Sequence, residues 1–169
     1  MNVYPSLYLD SVKNINPTLL KKNNIKGLIL DVDNTLIDYY RNLVDGAEKW
    51  CEELKNEGIK CIILSNSNKR SKVEEVAEKL NIDYIMFAKK PLKSGFKRAL
   101  SKLELKPEEV AVVGDQLFTD VIGAKRMNMF SILVKQVGEK DIFITKLKRP
   151  IENAIIRKYL EKGKKWNVF

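Results

Sequence analysis

The chain alternates short apolar runs with amphipathic stretches, and this alternation restricts its possible folds more than any other feature of the sequence. Apolar runs that are continuous, without intervening polar residues, are typical of strands covered on both faces of a parallel sheet. The stretches between them carry apolar residues at helical spacing. The pattern predicts an α/β fold with a doubly wound, Rossmann-like parallel sheet of five strands. The predicted strands are Gly27–Leu30, Lys60–Leu64, Tyr84–Phe87, Val110–Val113 and Phe130–Val134.

The length of 169 residues suits one domain of this kind. We expect a single domain over residues 1–169, with residues 1–26 as an N-terminal arm and residues 135–169 as a basic C-terminal segment that contains a helix. The connections at residues 37–44 and 88–93, after the first and third predicted strands, are too short to contain an inserted domain. We therefore expect no large cap domain over the sheet.

Composition excludes several classes of function. The sequence contains no histidine, so catalytic dyads or triads that use histidine and zinc sites that need imidazole are excluded. Cys51 and Cys61 lie in separate apolar-periodic stretches, which predicts reduced core residues of a cytoplasmic protein. No apolar run approaches the roughly 18 residues of a membrane span, and the first residues lack the features of a signal peptide. We expect a cytoplasmic location.

Polar side chains follow four of the predicted strands, at the point where each strand ends. Because parallel strands place their carboxyl ends at one edge of a sheet, where ligands bind in such folds, these side chains are expected to meet there. Residues two apart in an extended backbone point the same way, so two of the carboxylates should project together. The residues concerned are Asp31 and Asp33 after the first strand, Ser65 and Asn66 after the second, Lys89 and Lys90 after the third, and Gly114, Asp115 and Asp120 after the fourth.

Acids, a hydroxyl and an ammonium group at one sheet edge suit Mg²⁺ and phosphate. Carboxylate oxygens are ligands for the hard cation, while hydroxyl and ammonium donors suit phosphoryl oxygens. Each residue taken alone has an ordinary explanation, such as a loop acid, a turn-forming serine or a solvated lysine pair. Their occurrence just past successive strands favours a site.

These residues resemble the signature of the haloacid dehalogenase-like (HAD) phosphohydrolases. That signature is Asp-x-Asp-x-Thr after the first strand, Ser or Thr after the second, a lysine, and Gly-Asp-x-x-x-x-Asp; the matching segments here are Asp31–Thr35, Ser65, Lys90 and Gly114–Asp120. Asp-Val-Asp-Asn-Thr-Leu, Ala-Lys-Lys-Pro and the lack of a cap insertion are similar to subclass IIIA, the YqeG-type group. That group is related to phosphatidylglycerophosphate phosphatases of the mitochondrial type.

The resemblance implies a phosphomonoesterase that works through an aspartyl-phosphate. Asp31 would be the nucleophile, and Asp33 would protonate the leaving oxygen and then activate water. Mg²⁺ would be held by the carboxylates of Asp31 and Asp115 and by the main-chain carbonyl of Asp33. Asp120 would orient the metal's water ligands or the lysine.

The remaining signature residues would bind or support the phosphate. Ser65 and Lys90 would contact the phosphoryl oxygens, with Thr35 and Asn66 in supporting positions. The family places its lysine just before proline, which favours Lys90 over Lys89, although the sequence alone does not separate the two.

The substrate is left open between several phosphate esters. The best single expectation is phosphatidylglycerophosphate, hydrolysed to phosphatidylglycerol in phospholipid biosynthesis. The alternative is a soluble phosphatase acting on sugar, nucleotide or polynucleotide 3′-phosphates. The open crevice expected without a cap would accept a lipid headgroup, or a small molecule enclosed by a homo-oligomer.

The charge distribution favours an anionic partner. The net charge is +9, and residues 135–169 carry ten basic and four acidic residues. A predicted helix from Pro150 to about Leu160, with Trp166 and Phe169 beyond it, would suit peripheral contact with the inner face of an anionic membrane. The alternative is that its apolar residues pack on the sheet. No recognised nucleic-acid motif is present, so a nucleic-acid partner is not expected.

A phosphorelay receiver is an alternative from a different functional class, as is a binding module without turnover. Receivers also combine a parallel sheet with acids, a hydroxyl and a lysine, but they place the phospho-accepting aspartate after the third strand. Here the third strand ends in Phe87-Ala88, with no aspartate there, and the additional acid Asp33 provides a route to turnover.

Overall fold

The sheet is parallel throughout and contains six strands, one more than the sequence predicted. A computed structural model describes residues 3–138 and 143–163, with the side chains of residues 143–146 left undescribed. The strand order is β1-β6-β5-β2-β3-β4. The strands are β1 (Leu7–Leu9), β2 (Gly27–Leu30), β3 (Lys60–Leu64), β4 (Asp83–Ile85), β5 (Val110–Gly114) and β6 (Phe130–Val134).

Helices cover both faces of the sheet, as the continuous apolar strands predicted. The α-helices of the described chain are α1 (Pro17–Lys22), α2 (Ala47–Asn56), α3 (Arg70–Leu80), α4 (Lys93–Leu103), α5 (Ile122–Arg126) and α6 (Phe143–Gly163). Leu28 and Leu30 of β2 pack in the core that α1, α2 and α3 cover, whereas Ile29 points to the core beneath α4 and α5. The doubly wound α/β class is therefore confirmed, and the connection between β2 and α2 is short, as expected for a fold without a large cap.

The sixth strand comes from the N-terminal arm. Leu7–Leu9 pairs with Ile132–Val134 of β6 at the sheet edge, and Ser6 bonds Ser131 through its main-chain nitrogen and its hydroxyl. The prediction of five strands was wrong because three residues are too few to show a periodicity. The strand is stabilised by pairing with a distant segment instead.

The sequence predicted that this helix begins at Pro150. Helix α6 begins earlier, at Phe143, so the proline lies inside the helix. Proline suits the first turn, and in an interior position it removes a hydrogen bond. Ile155 and Ile156 pack on the apolar cluster of Leu117, Val121 and Leu133, and these contacts stabilise the part of the helix that follows the proline.

Two predictions concern features away from the carboxyl ends of the strands. Among residues 3–138 and 143–163, no helix has both the length and the apolar character needed to cross a bilayer. Trp166 and Phe169 lie outside the described residues. Cys51 and Cys61 are both free, with Cys51 buried in the core and Cys61 half-buried.

Candidate active site

Three buried carboxylates meet where β2 and β5 end. Asp31 follows β2 directly and continues its ladder, since its N–H donates to the Val113 carbonyl at 2.9 Å. Asp115 follows β5, and Asp120 returns from the π-helical turn Leu117–Val121. Each of the three aspartates offers an oxygen within 4.8 Å of the others. The strand-end argument thus led to the carboxylate cluster in the described part of the chain.

Gly114 makes room for this arrangement. A Cβ atom at position 114 would lie 2.2 Å from the carboxyl carbon of Asp120, a separation that side chains do not tolerate. Asp120 is held in that space by the main-chain N–H of Gln116, 3.3 Å from its Oδ2. The glycine before Asp115 is therefore required by the packing of the second acid of the motif.

Lys90 lies between two of the carboxylates. Its Nζ is 2.5 Å from Asp31 Oδ1 and 2.7 Å from Asp120 Oδ1, and its side chain is only 3% exposed. Asn66 holds the lysine in place: its side-chain oxygen accepts from the Lys90 N–H at 2.7 Å and its amide donates to the Lys90 carbonyl at 3.1 Å. Lys89 is exposed to solvent. The structure therefore separates the two lysines that the sequence did not, and it places Lys90 in the site.

The electrostatics of this cluster are those of charges held away from water. Burial raises the pKa of Asp31 to about 7, against the opposing effect of the nearby Lys90 ammonium. Burial acts to lower the pKa of Lys90, but the carboxylates of Asp120 and Asp31 outweigh it and raise that pKa above its usual value. Burial also raises the pKa of Asp115, and the neighbouring Asp31 carboxylate adds to the shift. A further cation would therefore stabilise the deprotonated cluster.

Thr35 bridges the two strand ends. Its hydroxyl lies 3.4 Å from Asp31 Oδ2 and 3.4 Å from Asp115 Oδ1. The turn that carries it is tight, because the main-chain N–H groups of Thr35, Leu36 and Ile37 all donate to the Val32 carbonyl. Asp31 thus has one oxygen directed to Lys90 and the other to the side where Thr35 and Asp115 lie.

Asp33 is not a member of the carboxylate cluster. Its Oδ1 lies 2.5 Å from the Nζ of Lys72, a buried lysine of α3. The two acids pair with different lysines, but the Asp33 carboxylate is close enough for its charge to raise the pKa of Asp31. Their joint projection into the crevice stays a prediction. Lys72 was not predicted from the sequence, where its only signal is a lysine beside Val73 at the edge of the apolar face of α3.

Ser65 lies at the end of β3, buried to 1% exposure. Its Oγ accepts a hydrogen bond from the Ser67 N–H at 3.0 Å. Its main-chain N–H and carbonyl bond residues Ile85 and Ala88, which connect β3 to the segment that leads to Lys90. The hydroxyl keeps its own proton for donation, as a phosphate-binding role would require.

Two residues of α6 also lie at this edge of the sheet, and neither was predicted from the sequence. Arg149 forms an ion pair with the Asp115 carboxylate, and its Nη1 donates to the Asp115 carbonyl at 2.9 Å. Glu152, one turn later and 1% exposed, accepts from the Phe118 N–H at 3.1 Å. The excess of basic residues in this segment concealed the individual role of Arg149.

The residues at this edge fit a divalent cation. Asp31, Asp115 and Asp120 supply oxygen donors, which hard cations such as Mg²⁺ prefer, and all three carboxylates are buried and close together. Three mutually repelling acids in a desolvated position have an unbalanced charge that Lys90 and Arg149 offset only in part. The chemistry of the donor set therefore suits a metal.

Comparison with known proteins identifies the family. A family model described as "haloacid dehalogenase-like hydrolase" matches residues 39–128. The chain is 41% identical to "Probable phosphatase YqeG" of Bacillus subtilis, over 94% of this chain and 92% of that protein. It is 33% identical to "Glyceraldehyde 3-phosphate phosphatase" of Pyrococcus furiosus, over 63% of this chain and 48% of that protein. It is 25% identical to the chloroplastic/mitochondrial "Phosphatidylglycerophosphate phosphatase 1" of Arabidopsis thaliana, over 96% of this chain and 50% of that protein.

The chain thus spans nearly all of the Bacillus relative and about half the length of the other two. All three relatives have names that describe phosphatases, which supports hydrolysis of phosphate esters as the activity. The match to the family model and the long match to the Bacillus protein lead to one conclusion: this chain belongs to the haloacid dehalogenase-like hydrolases, and it is an enzyme of the phosphatase type.

Proposed function

We propose that the protein is a Mg²⁺-dependent phosphomonoesterase of subclass IIIA that uses Asp31 as its nucleophile. This proposal rests on one observation: the two carboxylate oxygens of Asp31 have different neighbours. Oδ1 contacts Lys90 at 2.5 Å, and Oδ2 lies toward Thr35 and Asp115. One oxygen therefore lies beside a cation that can bind a phosphoryl group, and the other lies among the metal-binding acids.

The first step transfers the phosphoryl group to Asp31. An oxygen of the Asp31 carboxylate forms a bond to phosphorus while the bond from phosphorus to the ester oxygen breaks. Asp33 gives its proton to that leaving oxygen, so the alcohol departs neutral. Asp33 is suited to this task because its side chain is 28% exposed, so the ester oxygen and later a water molecule can reach it.

The second step regenerates the enzyme. Asp33, now a carboxylate, accepts a proton from water as the water oxygen attacks phosphorus, and the bond from phosphorus to the Asp31 oxygen breaks. Inorganic phosphate leaves, and both aspartates return to their starting states. Throughout both steps Lys90 and Ser65 bind phosphoryl oxygens, where negative charge is spread in a loose transition state.

The metal would be held by Asp31 and Asp115, together with the main-chain carbonyl of Asp33. When bound, Mg²⁺ supplies positive charge that neutralises the phosphoryl oxygens and the acids around them. Asp120 acts from behind this group by fixing Lys90 at 2.7 Å.

We propose phosphatidylglycerophosphate as the substrate. The similarity to the phosphatidylglycerophosphate phosphatase of Arabidopsis extends over 96% of this chain, whereas that to the glyceraldehyde 3-phosphate phosphatase of Pyrococcus covers 63%. The latter is the more identical of the two, so a small phosphorylated carbohydrate is the second candidate.

The outer face of α6 supports a substrate presented at a lipid surface. Leu147 and Ile151, one turn apart, are 68% and 58% exposed, and Lys148 and Lys158 are exposed on the same helix. Apolar side chains flanked by lysines suit the boundary of an anionic bilayer, where each cation contributes about 1 kcal/mol. We propose that the protein works in the cytoplasm and contacts the inner face of the membrane through this surface.

The test is phosphate release from a substrate panel. Phosphatidylglycerophosphate in anionic vesicles is compared with glyceraldehyde 3-phosphate, nucleotide 3′-phosphates and p-nitrophenyl phosphate, with EDTA or Mg²⁺ present. We expect the vesicle substrate to give the highest kcat/KM, EDTA to abolish turnover and Mg²⁺ to restore it. Asp31→Asn should lower turnover by about 10⁴-fold or more, because the nucleophile is lost.

Each arm of this experiment has its own contrary result. A higher kcat/KM for glyceraldehyde 3-phosphate would transfer the substrate assignment to the small esters. Turnover by Asp31→Asn at the wild-type rate would remove Asp31 from the mechanism, and full activity in EDTA would remove the metal. A stable phosphoryl adduct without hydrolysis would instead favour a receiver.

A further inference from the structure

Helix α6 reaches the sheet edge and contacts Asp115 directly. The guanidinium of Arg149 makes two contacts with the same aspartate, one to its main-chain carbonyl at 2.9 Å and one to carboxylate oxygen Oδ2. The arginine side chain is only 12% exposed. Glu152 lies 3.5 Å from the guanidinium and also accepts from the Phe118 N–H. The helix is therefore attached both to the end of β5 and to the turn that follows it.

As a result, the two carboxylate oxygens of Asp115 have different partners. Oδ2 belongs to Arg149, whereas Oδ1 faces the Thr35 hydroxyl at 3.4 Å, and the same hydroxyl faces Asp31 Oδ2. Since a main-chain oxygen and a side-chain oxygen are bound by one rigid guanidinium, the side-chain torsions of Asp115 are fixed. The oxygen left for ligation is the one on the Asp31 side.

We infer that Arg149 is a positioning residue of the metal site, and that Glu152 keeps Arg149 in place. Metal-binding carboxylates need outer hydrogen-bond partners to hold the productive orientation, and loss of such a partner costs about 10- to 100-fold in metal affinity or activity. The inference rests on the proposed metal-dependent function. It makes α6 a part of the active site, although the helix lies far along the chain from every signature residue.

The geometry also predicts which substitution is tolerated. A lysine at position 149 keeps the charge and can reach one oxygen of Asp115, but it cannot make both contacts, because its ammonium is a single point and lacks the planar fork. A glutamine removes the charge as well as the fork. If Arg149 acted only through its charge, lysine would replace it fully; if it acts through orientation, lysine replaces it in part.

The experiment measures Mn²⁺ binding to the full chain, without substrate, by electron paramagnetic resonance of the free ion. Arg149→Gln should raise the Kd for Mn²⁺ by about 10- to 100-fold. Arg149→Lys and Glu152→Gln should raise it by smaller factors. Arg157→Gln is the matched control, since Arg157 is an exposed arginine of the same helix. Near-ultraviolet circular dichroism and thermal unfolding without metal show which variants keep the fold.

The outcomes separate this inference from the proposed function. A folded Arg149→Gln or Glu152→Gln that binds Mn²⁺ as tightly as the wild type, or more tightly, overturns the positioning role. Complete replacement by lysine overturns the orientation argument. If the wild type itself binds no Mn²⁺, or if Asp115→Asn binds it unchanged, then the metal site fails and the proposed function fails with it.

Discussion

Two aspartate–lysine pairs form just beyond the end of β2, and they differ in burial although their ion-pair distances are equal. Lys90 lies 2.5 Å from Asp31, and Lys72 lies 2.5 Å from Asp33. The Asp31 side chain is 9% exposed and shares its lysine with the buried Asp120, whereas the Asp33 side chain is 28% exposed. Pairs with equal separations therefore occupy different dielectric surroundings.

The difference matches the two roles that we propose. A nucleophile benefits from surroundings without water, where a fixed cation stabilises charge on the phosphoryl group and no solvent competes. A general acid and base gives a proton to the leaving oxygen and later takes one from the attacking water, so both must be able to reach it. Because both aspartates have a lysine partner, burial is the property that distinguishes the two pairs.

Within this comparison, the largest effect is expected from a substitution in the less buried pair. Asp33→Asn keeps a hydrogen-bond partner for Lys72 but carries no transferable proton, so we expect kcat on an alkyl phosphate to fall by about 10²- to 10⁴-fold. On p-nitrophenyl phosphate the first step needs little help from an acid, because the phenolate is a good leaving group. Stopped-flow measurement should show a burst of p-nitrophenol equal to the enzyme concentration, followed by slow turnover.

The burst distinguishes a proton-transfer role from a general loss of structure. Asp45→Asn alters an exposed carboxylate of the same connection and serves as the control, with wild-type rates expected on both esters. Equal losses on aryl and alkyl esters without a burst would show that Asp33 does not act in the second step. They would also show that the greater exposure of Asp33 does not identify it as the general acid.

The pair that contains the proposed nucleophile could be predicted from the sequence, whereas the lysine partner of the proposed acid could not. Asp31, Lys90, Asp115 and Asp120 each follow a strand, and the topology of a parallel sheet places strand ends together whatever the details of packing. Lys72 lies in the first turn of α3, and nothing in its spacing shows that the helix directs this residue toward Asp33. Contacts of this kind depend on how a helix rotates on the sheet, which side-chain packing determines.

Elements outside the central sheet show the same limit. The strand β1 depends on pairing with β6 across more than a hundred residues, and its own sequence is too short to specify it. For helix α6 the sequence left two interpretations open, contact with an anionic membrane and packing on the sheet, because only the net charge and the apolar residues of the region were visible. The inward position of Arg149 and Glu152 was not visible, since a helix with charges on all sides gives no direction.

The second prediction compares the stability that each lysine provides. Lys90→Met leaves Asp31 and Asp120 buried without their cation, which should lower the free energy of unfolding by about 3–5 kcal/mol. Lys72→Met should cost about 1 kcal/mol or less, because the partly exposed Asp33 carboxylate can be hydrated instead. Urea denaturation at pH 7 in EDTA measures both.

Methionine is the substituted residue in both variants because it keeps most of the lysine's length and apolar stem. The pair of variants is thus matched in shape and differs only in surroundings. Equal losses of stability would mean that burial does not distinguish the two pairs, and a larger loss for Lys72→Met would reverse the comparison.

The last prediction concerns the pH dependence of stability in the metal-free protein. The pKa of Asp31 is raised to about 7 in the folded state, while an unfolded aspartate titrates near about 3.9. Between these values the folded protein binds more protons than the unfolded chain, so the free energy of unfolding falls as pH rises from about 4 to about 7. The slope for such a group is at most about 1.4 kcal/mol per pH unit.

Two comparisons assign this slope to the buried pair. Asp31→Asn should flatten it, although the raised pKa of Asp115 leaves a remainder of the same sign, whereas Asp45→Asn should keep it. Saturating Mg²⁺ should reverse the fall above pH 6, because the ion binds the deprotonated carboxylates and thereby stabilises the folded state most where those groups are ionised. Thermal unfolding of the wild type and both variants, in EDTA and in Mg²⁺ across pH 5–8, measures how the stability of each depends on pH. Stability that rises with pH in EDTA would show that the Lys90 ammonium outweighs the burial of Asp31, and the two pairs would then be electrostatically alike.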